Sequence, residues 1–249
     1  MRSKLRQHRI LPPASFSCGT AVSDLINEIL SITGEANNYL EIGVEYGKTF
    51  QAVKAKKKVG VDPLFRFHRG FQLNRVDLYE KSSDDFFLLN QIEHFNIVFL
   101  DGLHTAEQTY RDFINSMGRV DEKSIIIIDD TVPSDAHSAL PSPEATYKSR
   151  LDAGMQNNYE WHGNTYGCVF ALIEKYPELK HFTISDLGNP VTIFYGFTKN
   201  VSPAKIDEYV HKISYESFLA SKVIKILDKF NPVTKEIFLK TIRAYYESL

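Results

Sequence analysis

Three aspartates and one histidine hold the densest chemistry in this chain. Asp101 ends the apolar stretch 95–100, Asp129 ends the stretch 124–128, and Asp130 follows it. Stretches so short and so apolar read as central strands of a parallel sheet, buried on both faces. The 28 residues from Asp101 to Asp129 hold one strand–helix–strand unit, which puts the two carboxylates on adjacent strands and at one rim. In an open α/β sheet that rim is where ligands bind. Carboxylates gathered there repel unless a proton or a cation intervenes. Hard oxygen ligands with room for water suit Mg²⁺, with Mn²⁺ or Ca²⁺ able to substitute. His104, three residues beyond Asp101, can take up a proton near neutral pH. Its alternative reading is a residue that opens the next helix.

The stretch 39–49 is the second with chemical content. Residues 39–42 read as a buried strand, and Gly43 and Gly47 allow a tight turn into a helix starting near Lys48. Such a turn offers backbone N–H groups and a close approach to a nucleotide-like ligand. It departs from the dinucleotide fingerprint G-x-G-x-x-G, because Glu45 holds the central position and would repel a pyrophosphate. Asp62 follows Gly47 by 15 residues and ends the next strand, 58–61. A carboxylate at that tip takes the ribose hydroxyls of an adenosine cofactor.

These residues must be positioned by the elements around them. In 21–32 the apolar residues Val22, Leu25, Ile26, Ile29 and Leu30 fall on one helical stripe. Val76, Leu78 and Glu80 alternate as a third strand, and Ser82 caps a helix whose first turn holds Asp84 and Asp85. Thr105 and Gln108 form a capping box for a helix with the stripe Ala106, Tyr110, Phe113, Ile114 and Met117. Residues 131–164 show little periodicity and read as a lid or binding loop, with His137, Trp161 and His162 available to line a pocket. A helix over 166–175 follows. Only five residues separate the strands 181–185 and 191–197, too few for a parallel crossover, so the sheet ends in an antiparallel hairpin. Two more helical stripes, 218–227 and 233–242, pack on the domain or on a second subunit.

Composition narrows the class. At 249 residues, 43% hydrophobic and 24% charged, the chain fits one decorated globular domain. A formal net charge of -2 gives no general drive toward nucleic acid or anionic membrane. Cys18 and Cys168 make no disulfide framework. No apolar run approaches a membrane span, and the basic N-terminus lacks a secretory apolar segment, so the cytoplasm is the default expectation.

Glu41, two positions before Gly43, makes 39–49 resemble motif I of the class I S-adenosylmethionine (SAM) methyltransferases, which also close on an antiparallel hairpin. Asp101 with the acidic pair Asp129 and Asp130 resembles the metal ligands of cation-dependent O-methyltransferases, above all the sugar O-methyltransferases of the macrolide type. The stretch from Leu100 through Asp112 is similar to that wider family, and the likeness runs from about Ala21 to Phe197. The resemblance implies a Rossmann-like α/β fold with a mostly parallel seven-stranded sheet, an antiparallel last strand and helices on both faces. It implies SAM held by Glu41, Gly43, Glu45, Gly47, Asp62, Ser83 and Asp84. It further implies Mg²⁺ held by Asp101, Asp129 and Asp130, with His104 as the base.

The expected organisation is a tail over 1–20, a methyltransferase domain over 21–200 and a helical extension over 201–249. The expected activity is metal-assisted methylation of a hydroxyl on a sugar or another small polyol or phenol, with a homo-oligomer left open. Two alternatives stand beside it: a metal-independent methyltransferase for another acceptor, and a non-catalytic SAM-binding scaffold. An NAD-dependent dehydrogenase is disfavoured by Glu45 and by the terminal hairpin.

Overall fold

The computed structural model describes residues 19–34, 37–67, 75–89, 93–155, 160–198 and 228–249. The tail up to residue 18 and the stripe expected over 218–227 lie outside them. The elements are α1 (Ala21–Thr33), β1 (Asn38–Ile42), α2 (Lys48–Ala52), β2 (Lys57–Asp62), β3 (Val76–Glu80), α3 (Ser83–Phe87), β4 (Ile97–Leu100) and α4 (Ala106–Met117). They continue with β5 (Ile125–Ile128), α5 (Pro143–Asp152), α6 (Tyr166–Lys175), β6 (Lys180–Ile184), β7 (Val191–Tyr195), β8 (Pro232–Val233) and α7 (Lys235–Glu247).

Among the described residues the strands make one sheet, ordered β3-β2-β1-β4-β5-β7-β6-β8. The first five in that order run parallel, and β7 is antiparallel to both β5 and β6. The chain moves outward from β1 to β2 and β3, then returns to β4 on the other side of β1. That reversal opens a crevice above the carboxyl ends of β1 and β4, the preferred ligand position in such sheets.

Strand alternation sends apolar side chains to both faces. Leu40, Ile42, Val98, Leu100, Ile126 and Ile128 pack with Tyr110 and Phe113 of α4 and Leu172 of α6. Tyr39, Ile97, Phe99, Ile125 and Ile127 point the other way, against Leu25, Ile26 and Ile29 of α1 and Phe238 and Ile242 of α7. Both faces being covered is why the central strands carry no polar alternation.

Two elements differ from the sequence expectation. The sheet has an eighth strand, the two-residue β8, parallel to β6 at the outer edge. Pro232 lacks an N–H and is suited to an edge position. The C-terminal segment is thereby tied to the domain: α7 buries Phe238 and Ile242, and Lys235 pairs with Glu28 of α1 at 2.6 Å. Second, the loop 131–164 contains α5. Ser142 caps it, accepting from the Ala145 N–H at 3.1 Å, with Pro143 in the first turn. Its buried residues are Thr146 and Arg150, while Tyr147 and Leu151 are exposed. Hydrophobic periodicity could not reveal a helix whose polar side faces inward. No helix among the described residues is long and apolar enough to cross a membrane.

Candidate active site

The crevice floor is the meeting of the β1 and β4 tips. Gly43 has φ 90°, and a Cβ there would lie 1.8 Å from the Asp101 carbonyl oxygen. Gly47, at φ 70°, precedes α2, and Glu45 also has a positive φ, 41°. Asp62 stabilises this turn: its Oδ2 accepts from the Glu45 N–H at 2.8 Å and its Oδ1 from the Leu64 N–H at 2.7 Å. The Glu45 side chain points outward and pairs with Arg66 at 3.3 Å. Glu41 is buried and accepts from the Tyr39 hydroxyl. Burial raises its carboxyl well above the usual range, more than the Tyr39 bond lowers it.

A cavity of about 860 Å³ runs along this floor. Its lining includes Glu41, Gly43, Glu45, Asp62 and Ser83 together with Asp101, His104, Asp129, Trp161 and Asn189. Its volume lies in the range of small-molecule sites. Gly47, Asp84 and Asp130 lie outside the lining. Asp84 instead accepts from Gln108 Nε2 at 3.2 Å and pairs with Arg111 at 3.4 Å. Gln108 Nε2 also reaches Ser83 Oγ and Asp112 Oδ1, each at 3.0 Å. Burial pushes the Asp112 carboxyl up to about 7 despite its bonds to Ser83 and Gln108.

His104 sits between two carboxylates. Its Nε2 is 3.1 Å from Asp101 Oδ1 and its Nδ1 is 2.9 Å from Asp130 Oδ2. The second approach is an ion-pair contact without hydrogen-bond alignment. Burial disfavours the imidazolium, but the two aspartates outweigh it and hold His104 up to about 11. Asp130 is correspondingly lowered: burial opposes its charge, and His104, with His162 and Asn189, more than compensates. Asp101 rises to about 6, chiefly through burial against the cavity wall, and Asp129 rises well above the usual range for the same reason.

The structure gathers the expected ligands unequally. Oxygen or nitrogen atoms of Asp101, His104 and Asp130 lie within 4.8 Å of one another, a grouping able to hold a cation. Asp129 is adjacent but differently engaged, since its Oδ1 accepts from the Asp130 N–H and from Asn189 Nδ2, both at 2.9 Å. Two carboxylates and an imidazole are a donor set of the kind that holds a divalent cation.

Sequence reasoning named Trp161 and His162 only as pocket candidates and did not single out Asn189. The Trp161 ring stacks on His104 with centroids 5.0 Å apart, and its indole N–H donates to Leu140 O at 2.7 Å. His162 Nε2 stands 3.8 Å from Asp130 Oδ1. Gly163, at φ 63°, packs where a Cβ would be 1.9 Å from the His104 carbonyl oxygen. The Asn164 N–H donates to that oxygen at 3.1 Å. The segment 161–164 is thus a brace behind His104, with Trp161 also lining the cavity. Tandem glycine and asparagine after Trp-His was its only signal.

Residues 40–131 match a protein-family model described as a methyltransferase domain. That span runs from β1 to just beyond β5 and contains every site residue expected from sequence. No curated protein matches the chain. Among solved structures the chain is similar to an O-methyltransferase family protein from Burkholderia thailandensis, at 17% identity and a TM-score of 0.47, over 72% of this chain and 56% of that one. It is also similar to the O-methyltransferase from Bacillus cereus solved with SAH, at 13% identity and a TM-score of 0.48, over 73% of this chain and 84% of that one. A third is an O-methyltransferase of tomaymycin synthesis from Streptomyces achromogenes, at 12% identity and a TM-score of 0.46, over 73% and 82%. The family match lies on the glycine turn and on the reversal between β1 and β4, so this part of the chain is similar to a methyltransferase domain.

Proposed function

We propose that this methyltransferase acts on a hydroxyl of a small molecule, a sugar or another polyol or phenol, with a divalent cation at the aspartate cluster. The observation that carries the reading is that one cavity is lined by Asp62 and Ser83 as well as by Asp101, His104 and Asp129. Glu41, Gly43, Glu45, Gly47, Asp62, Ser83 and Asp84 would hold SAM, with Asp62 toward the ribose; Gly47 and Asp84 would act through the turn and through Gln108 rather than from the lining. Asp101, Asp129 and Asp130 would hold Mg²⁺.

SAM supplies a methyl group on a sulfonium, and the cation supplies charge that lowers the pKa of a neighbouring hydroxyl. The protein's own part is alignment and proton transfer. As paired in this structure, His104 is an imidazolium at neutral pH and cannot take a proton. A divalent cation held by Asp101, Asp129 and Asp130 would offset the charge that keeps His104 protonated, and His104 would then serve as the base. Trp161 limits ring rotation by stacking, and Gly163 and Asn164 fix the backbone of His104.

The contacts of His104 to both carboxylates also favour a second reading. There the imidazolium stands where a cation would, and the methyltransferase is metal-independent. Methyl transfer from labelled SAM to a panel of sugars, polyols and phenols, run with Mg²⁺ and with EDTA, separates the two. Activity lost in EDTA and restored by Mg²⁺ supports the first; activity indifferent to EDTA supports the second. No transfer to any hydroxyl, with transfer to an amine or thiol, would reject O-methylation.

A further inference from the structure

The β6–β7 hairpin brings a residue to the aspartates that no motif announces. Asn189 Nδ2 donates to Asp129 Oδ1 at 2.9 Å and to Asp130 Oδ1 at 2.7 Å. It occupies the point the two carboxylates share. Its own Oδ1 is buried and, among the described residues, has no hydrogen-bond partner. A buried amide oxygen without a donor is costly, and a neutral amide offsets two carboxylates far less well than a cation does.

The hairpin is held in register with the β5 tip. Gly188, at φ 87°, turns the chain into Asn189, and the Thr131 hydroxyl donates to the Pro190 carbonyl at 3.2 Å. Thr192 Oγ1 in turn donates to Thr131 Oγ1 at 2.9 Å. Asn189 is therefore a placed side chain at the cavity wall, not a loop residue in passing.

A primary amide has two ends, and a half-turn about its terminal bond exchanges them. Amide oxygens are ordinary ligands of hard cations, alongside carboxylates. We infer that Asn189 is a further cation ligand of this site, offering Oδ1 to the ion that Asp129 and Asp130 hold. The inference rests on the cation reading above and adds the hairpin to the ligand set.

The test is calorimetric titration of the full chain, stripped with EDTA, with Mn²⁺ alone. Three proteins are compared: wild type, Asn189→Leu, which removes both polar ends, and Asn189→Asp, which keeps an oxygen but loses the N–H donors. The expected result is Mn²⁺ binding by wild type, at least tenfold weaker binding by the Leu variant, and binding by the Asp variant at least as tight as wild type. Thermal unfolding without metal confirms that each variant is folded, and Asn189→Ala serves if the Leu variant is not.

If wild type and the Leu variant bind Mn²⁺ equally, the inference is overturned and the cation reading stands. An Asp variant as weak as the Leu variant also overturns it, because Asn189 would then act only through its N–H donors. Absence of Mn²⁺ binding by folded wild type overturns both.

Discussion

Gly43 and Asp101 touch through their backbones, and the tips of β1 and β4 close over the crevice floor only because residue 43 has no side chain. A methyl group there would meet the Asp101 carbonyl oxygen at 1.8 Å, in a backbone conformation with φ 90° that penalises any L side chain. Gly43→Ala is expected to cost on the order of 3 kcal/mol or more in stability, from strain and overpacking together. Urea unfolding measures it; a loss below about 1 kcal/mol would mean that the two tips separate easily.

Gly163 stands in the same relation to His104, with a Cβ position 1.9 Å from its carbonyl oxygen. Gly163→Ala should move His104 without touching Asp62. The expected outcome is a fall in kcat of about a hundredfold, the scale of a 1 Å misplacement, with affinity for S-adenosylhomocysteine kept within a few-fold. An equal loss in both would show that the brace supports the whole cavity.

Trp161 is the only tryptophan of the chain, so the protein's indole emission reports on the ring stacked against His104. A stacked imidazolium quenches indole emission. His104→Ala should therefore raise the emission of the folded protein at neutral pH. Unchanged emission would mean that the two rings are not stacked in solution.

Much of this arrangement was legible in the chain, and the reasons are physical. The stretch 124–128 could only be a buried strand, and the 28-residue spacing put Asp101 and Asp129 on neighbours. Five residues between two strands dictated the hairpin. The opposite face of the site was legible only in part: Trp161 stood out as a pocket candidate, while Asn189 arrives from a distant hairpin and is placed by tertiary packing. Nor does spacing say which way a side chain turns. Asp130, at φ 54°, points to His104, while Asp129 folds back onto the Asp130 N–H.

Asp112 gives a pH signature outside the aspartate cluster. Its folded-state pKa of about 7 exceeds the ordinary 3.8, so its contribution favours folding below pH 3.8 and is lost as pH rises toward 7. Asp112→Asn should flatten the stability profile across that window, by an amount on the order of a few kcal/mol at its upper end. Denaturant titrations at pH 4, 5.5 and 7 would show it. Parallel profiles for the two proteins would mean that Asp112 is solvated. His104 acts in a higher window: the stabilisation from its raised pKa is lost as pH rises from 6.5 through about 11.

Calorimetric titration with S-adenosylhomocysteine tests most directly whether the cavity is divided into a cofactor end at Asp62 and a transfer end at His104. Wild type and His104→Ala are expected to bind alike, while Asp62→Asn binds at least about tenfold more weakly, the scale of a lost charged hydrogen bond to the ribose. Folded wild type that takes up no S-adenosylhomocysteine, or Asp62→Asn that binds as tightly as wild type, would contradict that division.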